Sequence, residues 1–159
     1  MYYSTYPYGT PYPMPSCYPF LSAFGNQNEL IEKVTDALII GMESENEAID
    51  FYTRLSKMAP NKMAREAVEH ALEDEQKHLD LFKDVYEKIT GEKPNFKQRK
   101  KKFTTFKEGV LLAYEGELRS YSRYRDNYLL THDPMLRDIF FQAMTDENEA
   151  TVKRFFKEK

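Results

Sequence analysis

The chain has 159 residues, 41% hydrophobic and 31% charged, a size and balance that fit one globular domain with its own core. Its net charge of −3 predicts no general attraction to nucleic acid or acidic lipid. One cysteine, Cys17, excludes an intrachain disulfide and a four-cysteine metal knot; no apolar run reaches membrane-helix length, no secretory leader is visible, and the expected location is cytoplasmic.

Residues 1–27 are expected to form a tail, extended or disordered, ahead of a helical domain at 28–159. The first 25 residues hold five of the eight prolines and six of the twelve tyrosines. Proline at that density removes amide donors and forbids a continuous helix. The tyrosines offer amphipathic contact surface, so the tail is either a loose end or an adhesive segment that binds a protein partner.

The first helix is expected over 28–58, with Leu30, Ile31, Val34, Leu38, Met42, Ile49 and Tyr52 recurring at helical spacing. Asn26 or Asn28 can cap its start, and Pro60-Asn61 ends it, with Asn61 capping the next helix. That second helix spans 62–89, carries Val68, Ala71, Leu72, Leu79 and Phe82 on its apolar stripe, and stops at Gly91 and Pro94. A basic linker follows at 91–104, containing Lys97, Arg99, Lys100, Lys101 and Lys102. It reads as solvated. Thr105 and Glu108 make a capping box for a third helix at 106–131. Asp133-Pro134 caps and opens a fourth, running to about 157. Short first and third connections make two antiparallel hairpins. The linker is long enough to return along the bundle, so the second and third helices run parallel. The fold class is all-α: an antiparallel four-helix bundle with one long crossover.

An internal repeat locates the chemistry. Glu45 opens E-x-x-A-x-x-F-Y, and Glu117, 72 residues later, opens E-x-x-S-x-x-R-Y. The same offset carries Asp74-Glu75 onto Asp146-Glu147, Ala71 onto Ala143, and His78 onto Ala150. Each half therefore supplies two glutamates 30 residues apart, and two helical hairpins related by a pseudo-twofold axis follow.

Helical period places all four glutamates on apolar stripes. Glu45 falls among Leu38, Met42, Ile49 and Tyr52, and Glu75 among Ala71, Leu72 and Leu79. Glu117 falls among Ala113, Tyr114 and Tyr124, and Glu147 among Phe140, Ala143 and Met144. Burying four unpaired carboxylates is costly, so they are protonated, paired with buried cations, or bound to metal. The stripes supply no lysine and little arginine, which favours metal. Glu75 and His78 form E-x-x-H, a carboxylate and an imidazole one turn apart on one face.

With this combination the chain resembles the ferritin-like superfamily, and within it the rubrerythrin-type domains, over residues 28–158. The resemblance implies a centre of two iron ions, with manganese the alternative. Glu45 and His78 would bind the first ion, Glu117 the second, and Glu75 and Glu147 would bridge. It also implies reaction with dioxygen or peroxide, as a ferroxidase or peroxidase-like oxidoreductase in iron handling or oxidative stress. The departure is Ala150, where the symmetric rubrerythrin-type site has a histidine. His132 lies about 15 residues past Glu117, roughly 22 Å along a helix, and cannot replace it. Ferritin-type centres also lack that histidine. The second metal position is then all-oxygen, weaker and more open.

Tyr52 and Tyr124, repeat-related and inward, are expected to pack or to donate hydrogen bonds to the carboxylates. Glu43, Glu47, Asp74, Asp146 and Glu149 read as outward charges, His70 as solvent-facing and His132 as a loop residue. The alternative to an enzyme is a structural protein in a coat-like layer, with a degenerate metal site and the tail as its attachment. A homodimer or larger assembly fits either reading. Nothing beside the basic linker suggests a nucleic-acid fold.

Overall fold

The computed structural model describes residues 27–149. Four helices follow one another: α1 (Gln27–Ser56), α2 (Lys62–Thr90), α3 (Phe106–Leu130) and α4 (Pro134–Glu149). No strand occurs among the described residues, and none of the helices described is long and apolar enough to cross a membrane. The proline-rich tail, Asn26 and the expected extension of α4 towards 157 lie outside the described residues.

The helix boundaries have local causes. Asn28 sits inside the first turn of α1, so it is not the cap it was expected to be. α1 ends two residues earlier than its periodicity suggests. Met58 N–H and Ala59 N–H donate to the carbonyls of Leu55 and Ser56, tightening the chain into a turn before Pro60. Asn61 caps α2, its Oδ1 accepting from Ala64 N–H at 2.8 Å. Gly91 closes α2 in the left-handed conformation, φ 74°, and donates to the Glu87 carbonyl. At the start of α3, Thr105 Oγ1 accepts from Glu108 N–H at 3.1 Å. The Glu108 carboxylate reaches one residue further back than the expected box, to the amide and hydroxyl of Thr104. Asp133 caps α4, accepting from Leu136 N–H at 3.0 Å.

The crossover is largely exposed, as expected, but it is tied to α1. Lys97 N–H donates to Glu43, Arg99 pairs with Glu43 at 3.1 Å, and Lys100 lies 3.7 Å from Asp50. Arg54 donates to the Lys101 carbonyl at 2.8 Å. Glu43, Asp50 and Arg54 follow one another along α1, so the linker runs beside that helix in the same direction. It delivers α3 next to the C-terminal end of α1, where Phe103 packs on Phe51. α3 then runs back along α1 to Tyr124, which stacks on Phe82 near Gly41. α2 and α3 are therefore parallel, as the linker length required. The basic run is solvated as expected, with Lys97, Arg99, Lys100 and Lys102 exposed, while acids on the outer face of α1 match part of its charge at the surface.

Two apolar clusters form the core. One contains Leu38, Met42, Phe82, Val85, Tyr124, Ile139 and Phe140. The other contains Phe51, Tyr52, Leu55, Val68, Ala71 and Ala113. The gap between them is the level of Glu45, Glu75, Glu117 and Glu147. Gly41 shows how tightly the first cluster is packed. A Cβ there would come within 2.9 Å of the Phe82 ring, which is fully buried and wedged between Tyr124 and Phe140. Gly41→Ala is expected to destabilise the fold by about 1–2 kcal/mol despite alanine's higher helix propensity. Urea unfolding would check this, and a stabilised variant would mean the ring can yield.

Candidate metal centre

Each helix brings its glutamate to the same level of the bundle. α1 supplies Glu45, α2 Glu75 and His78, α3 Glu117, and α4 Glu147. All five side chains are between 1% and 5% exposed. Glu45, Glu75, His78 and Glu147 each offer one ligand atom, and those four atoms lie within 4.8 Å of one another. Glu117 stands just outside this group. Its Oε1 accepts a hydrogen bond from the Tyr52 hydroxyl.

The charge balance is unfavourable without a cation. Burial, then the neighbouring Glu75 charge, pushes the Glu45 carboxyl well above the usual carboxylate range. Burial, then Glu75 and Glu117, does the same to Glu147. Glu45 Oε1, Glu75 Oε2 and His78 Nδ1 are buried with no hydrogen-bond partner among the described residues. Buried polar atoms are rarely left so.

His78 is oriented by a residue that was expected to face outward. Its Nε2–H donates to Asp146 Oδ2 at 3.0 Å. That leaves Nδ1 facing inward, 3.7 Å from Glu75 Oε2 and too far for a hydrogen bond. Burial alone would lower the histidine's pKa. The Asp146 hydrogen bond and the nearby Glu75 carboxylate outweigh it and raise the value to about 9. Asp146 looked outward because it sits 100° from Glu147 on the same helix. It is only half-buried, but it reaches across to α2. Asp74, its repeat mate, instead pairs with Lys77 at 3.0 Å, and Glu43 is tied to the crossover. His70 is exposed, as its helical angle suggested.

The two tyrosines divide the roles foreseen for them. Tyr52 is a hydrogen-bond donor to a carboxylate, and burial followed by the Glu117 and Glu75 charges raises its pKa well above 10. Tyr124 packs in the core against Phe82 at 5.4 Å, and its hydroxyl has no hydrogen-bond partner among the described residues.

The donor set fits a metal ion. Three carboxylates and an imidazole converge, the imidazole is held by an acid on its far side, and inward donor atoms lack partners. Among known proteins, residues 18–86 and 36–150 match the family described as Rubrerythrin, in two overlapping stretches. The chain belongs to the rubrerythrin family. It is also similar to the uncharacterized protein YhjR of Bacillus subtilis (strain 168), 27% identical over 152 residues, covering 96% of this chain and 94% of that protein. Rubrerythrin-family membership accords with the helical bundle and with the buried Glu/His cluster at its centre. Ala150, at the position of the expected second histidine, lies outside the described residues.

Proposed function

We propose that this rubrerythrin-family chain is a two-metal carboxylate protein that holds iron, with manganese the alternative, and reacts with dioxygen or hydrogen peroxide. The observation that carries the reading is the burial of four glutamates and one histidine at one level of the bundle, with inward donor atoms unpartnered. In this reading Glu45 and His78 Nδ1 would hold the first ion, Glu117 would hold the second, and Glu75 and Glu147 would serve both. Such a pair of ions supplies redox equivalents and a Lewis-acidic place for oxidant.

The protein's own groups prepare that chemistry. Hard carboxylate donors favour the oxidised state of a hard metal. Asp146 fixes the ring of His78 and makes Nδ1 a better donor. Tyr52 holds Glu117 in place. The apolar clusters on either side exclude water and strengthen every electrostatic interaction between them.

The decisive experiment is a metal-to-protein ratio on chain purified from its own host, followed by ferrous oxidation and peroxide consumption assays. A ratio near two with turnover is expected. A ratio near zero would reject the reading. Titration of the metal-free protein should show two unequal steps, because only the first position has an imidazole. Asp146→Asn should weaken the tighter step about 10- to 100-fold and leave the other nearly unchanged. Equal loss at both steps would mean that Asp146 does not act through His78.

A further inference from the structure

A cavity of about 250 Å³ lies between α1 and α3 under the crossover, and it reaches the carboxylates. It exists because small residues meet there: Ser44 and Ala48 on α1, and Ala113, Gly116 and Ser120 on α3. A Cβ on Gly116 would meet nothing within 4 Å. The inner wall includes Glu75, Glu117, Glu147 and Tyr52, but neither Glu45 nor His78. The cavity therefore opens on the second metal position of the proposed centre, the one for which the sequence offers alanine where a histidine was expected.

The rest of the wall is cationic. Arg99, Lys101, Arg119 and Arg123 line it against only Glu43 and Glu47. Two divalent ions would neutralise Glu45, Glu75, Glu117 and Glu147, leaving a wall with two positive charges in excess. Three of the four cations are already engaged. Arg99 pairs with Glu43, Lys101 donates to the Leu112 carbonyl at 3.1 Å, and Arg119 lies 3.8 Å from Glu115. Arg123 differs. Its charge acts on Glu45, but its Nη1 is buried with no hydrogen-bond partner among the described residues. In the repeat it stands where the first half has Phe51, so it is not a relic of the duplicated bundle. Burial, then the nearby Arg119, lowers the Lys101 pKa and outweighs Glu47 and Glu115, which act to raise it.

We propose that this cavity binds a small oxyanion, phosphate in size, held by Arg123 against the metal position bounded by Glu75, Glu117 and Glu147. The proposal rests on the two-metal reading. A guanidinium presents a planar fork of donors that matches two oxygens of such an anion. A third oxygen would be one more hard donor at that all-oxygen, open position. The volume equals that of roughly eight waters at about 30 Å³ each, room for a tetrahedral oxyanion with part of its hydration. The anion would add an oxygen ligand at that position, and its departure would free the place for oxidant.

The test is equilibrium binding of inorganic phosphate, by calorimetry, to full-length chain loaded with manganese, free metal removed and metal content measured first. One phosphate per chain is expected. Arg123→Leu should weaken it at least about tenfold at unchanged metal content, and Arg123→Lys should retain most of the affinity. Gly116→Leu, which fills the cavity without touching a ligand, should abolish binding. Absence of phosphate binding to the loaded chain, or an Arg123→Leu variant that binds like wild type, overturns the proposal while leaving the metal reading standing. A chain that takes up no metal overturns both, and the metal measurement reveals that before phosphate is added.

Discussion

Glu45→Leu is expected to make the metal-free protein more stable and to empty its tighter metal position. Glu45 is 1% exposed, and its Oε1 has no hydrogen-bond partner among the described residues. Its charged form faces Glu75 and Glu117 across a water-poor space, with Arg123 the cation that opposes them. A leucine of similar size would extend the apolar surface already provided by Met42 and its neighbours. Replacing buried ionic groups by packed apolar ones often stabilises by about 1–4 kcal/mol. For a domain of this size each kcal/mol is worth about 2–4 °C in Tm. Calorimetry on chelator-treated protein should therefore show a rise of several degrees, while metal per chain falls by about one. A lower Tm with wild-type metal content would show that Glu45 is a structural group, and the ligand assignment would fail with it.

The frame of this site was legible because two periodicities coincide. The 3.6-residue stripe puts Glu45, Glu75, Glu117 and Glu147 inward, and the 72-residue repeat ties them in pairs. Caps were legible where one side chain decides them, as at Asn61, Thr105 and Asp133. What was not legible depends on which helices touch. Asp146 carries no inward signal on α4, and only the packing of α4 on α2 brings it to His78. A clue was present nonetheless. In each half an aspartate precedes the shared glutamate, so the pseudo-twofold axis aims each aspartate at the other half's histidine position. Asp146 finds His78. The repeat mate of His78 is Ala150 in the sequence, and Asp74 pairs with Lys77. The course of the basic linker was hidden for a similar reason. Its charges are solvated as expected, but only the folded chain shows that Glu43 and Asp50, two helical turns apart on α1, form the surface it runs along. The repeat also hides the difference between Tyr52 and Tyr124, because a shared sequence position does not ensure a shared hydrogen bond.

Metal-free protein is expected to lose stability as pH rises from about 5 to 9, and metal-loaded protein to gain it over the same range. Burial, then neighbouring carboxylates, holds the Glu45 and Glu147 pKa values well above the ordinary 4.5. The folded metal-free state thus keeps protons that the unfolded chain releases from about pH 4.5 upward. Stability contributed by these groups is full below that value and falls as pH rises towards their folded pKa values. His78 acts in the same direction. Its pKa is raised from 6.5 to about 9, against the burial that alone would lower it. Its contribution is complete below pH 6.5 and is lost as pH rises through about 9. On its own this is on the order of 3 kcal/mol. Metal inverts the dependence, because the ion must displace the protons on Glu45, Glu147 and His78 Nδ1 and so binds more tightly as pH rises. The gap in Tm between loaded and chelator-treated protein should widen steadily through pH 5.5, 7 and 8.5. A gap that stays constant would mean that metal does not compete with these protons and binds elsewhere. A metal-free Tm that climbs with pH would mean that the buried carboxylates are already charged and balanced by a cation within the fold.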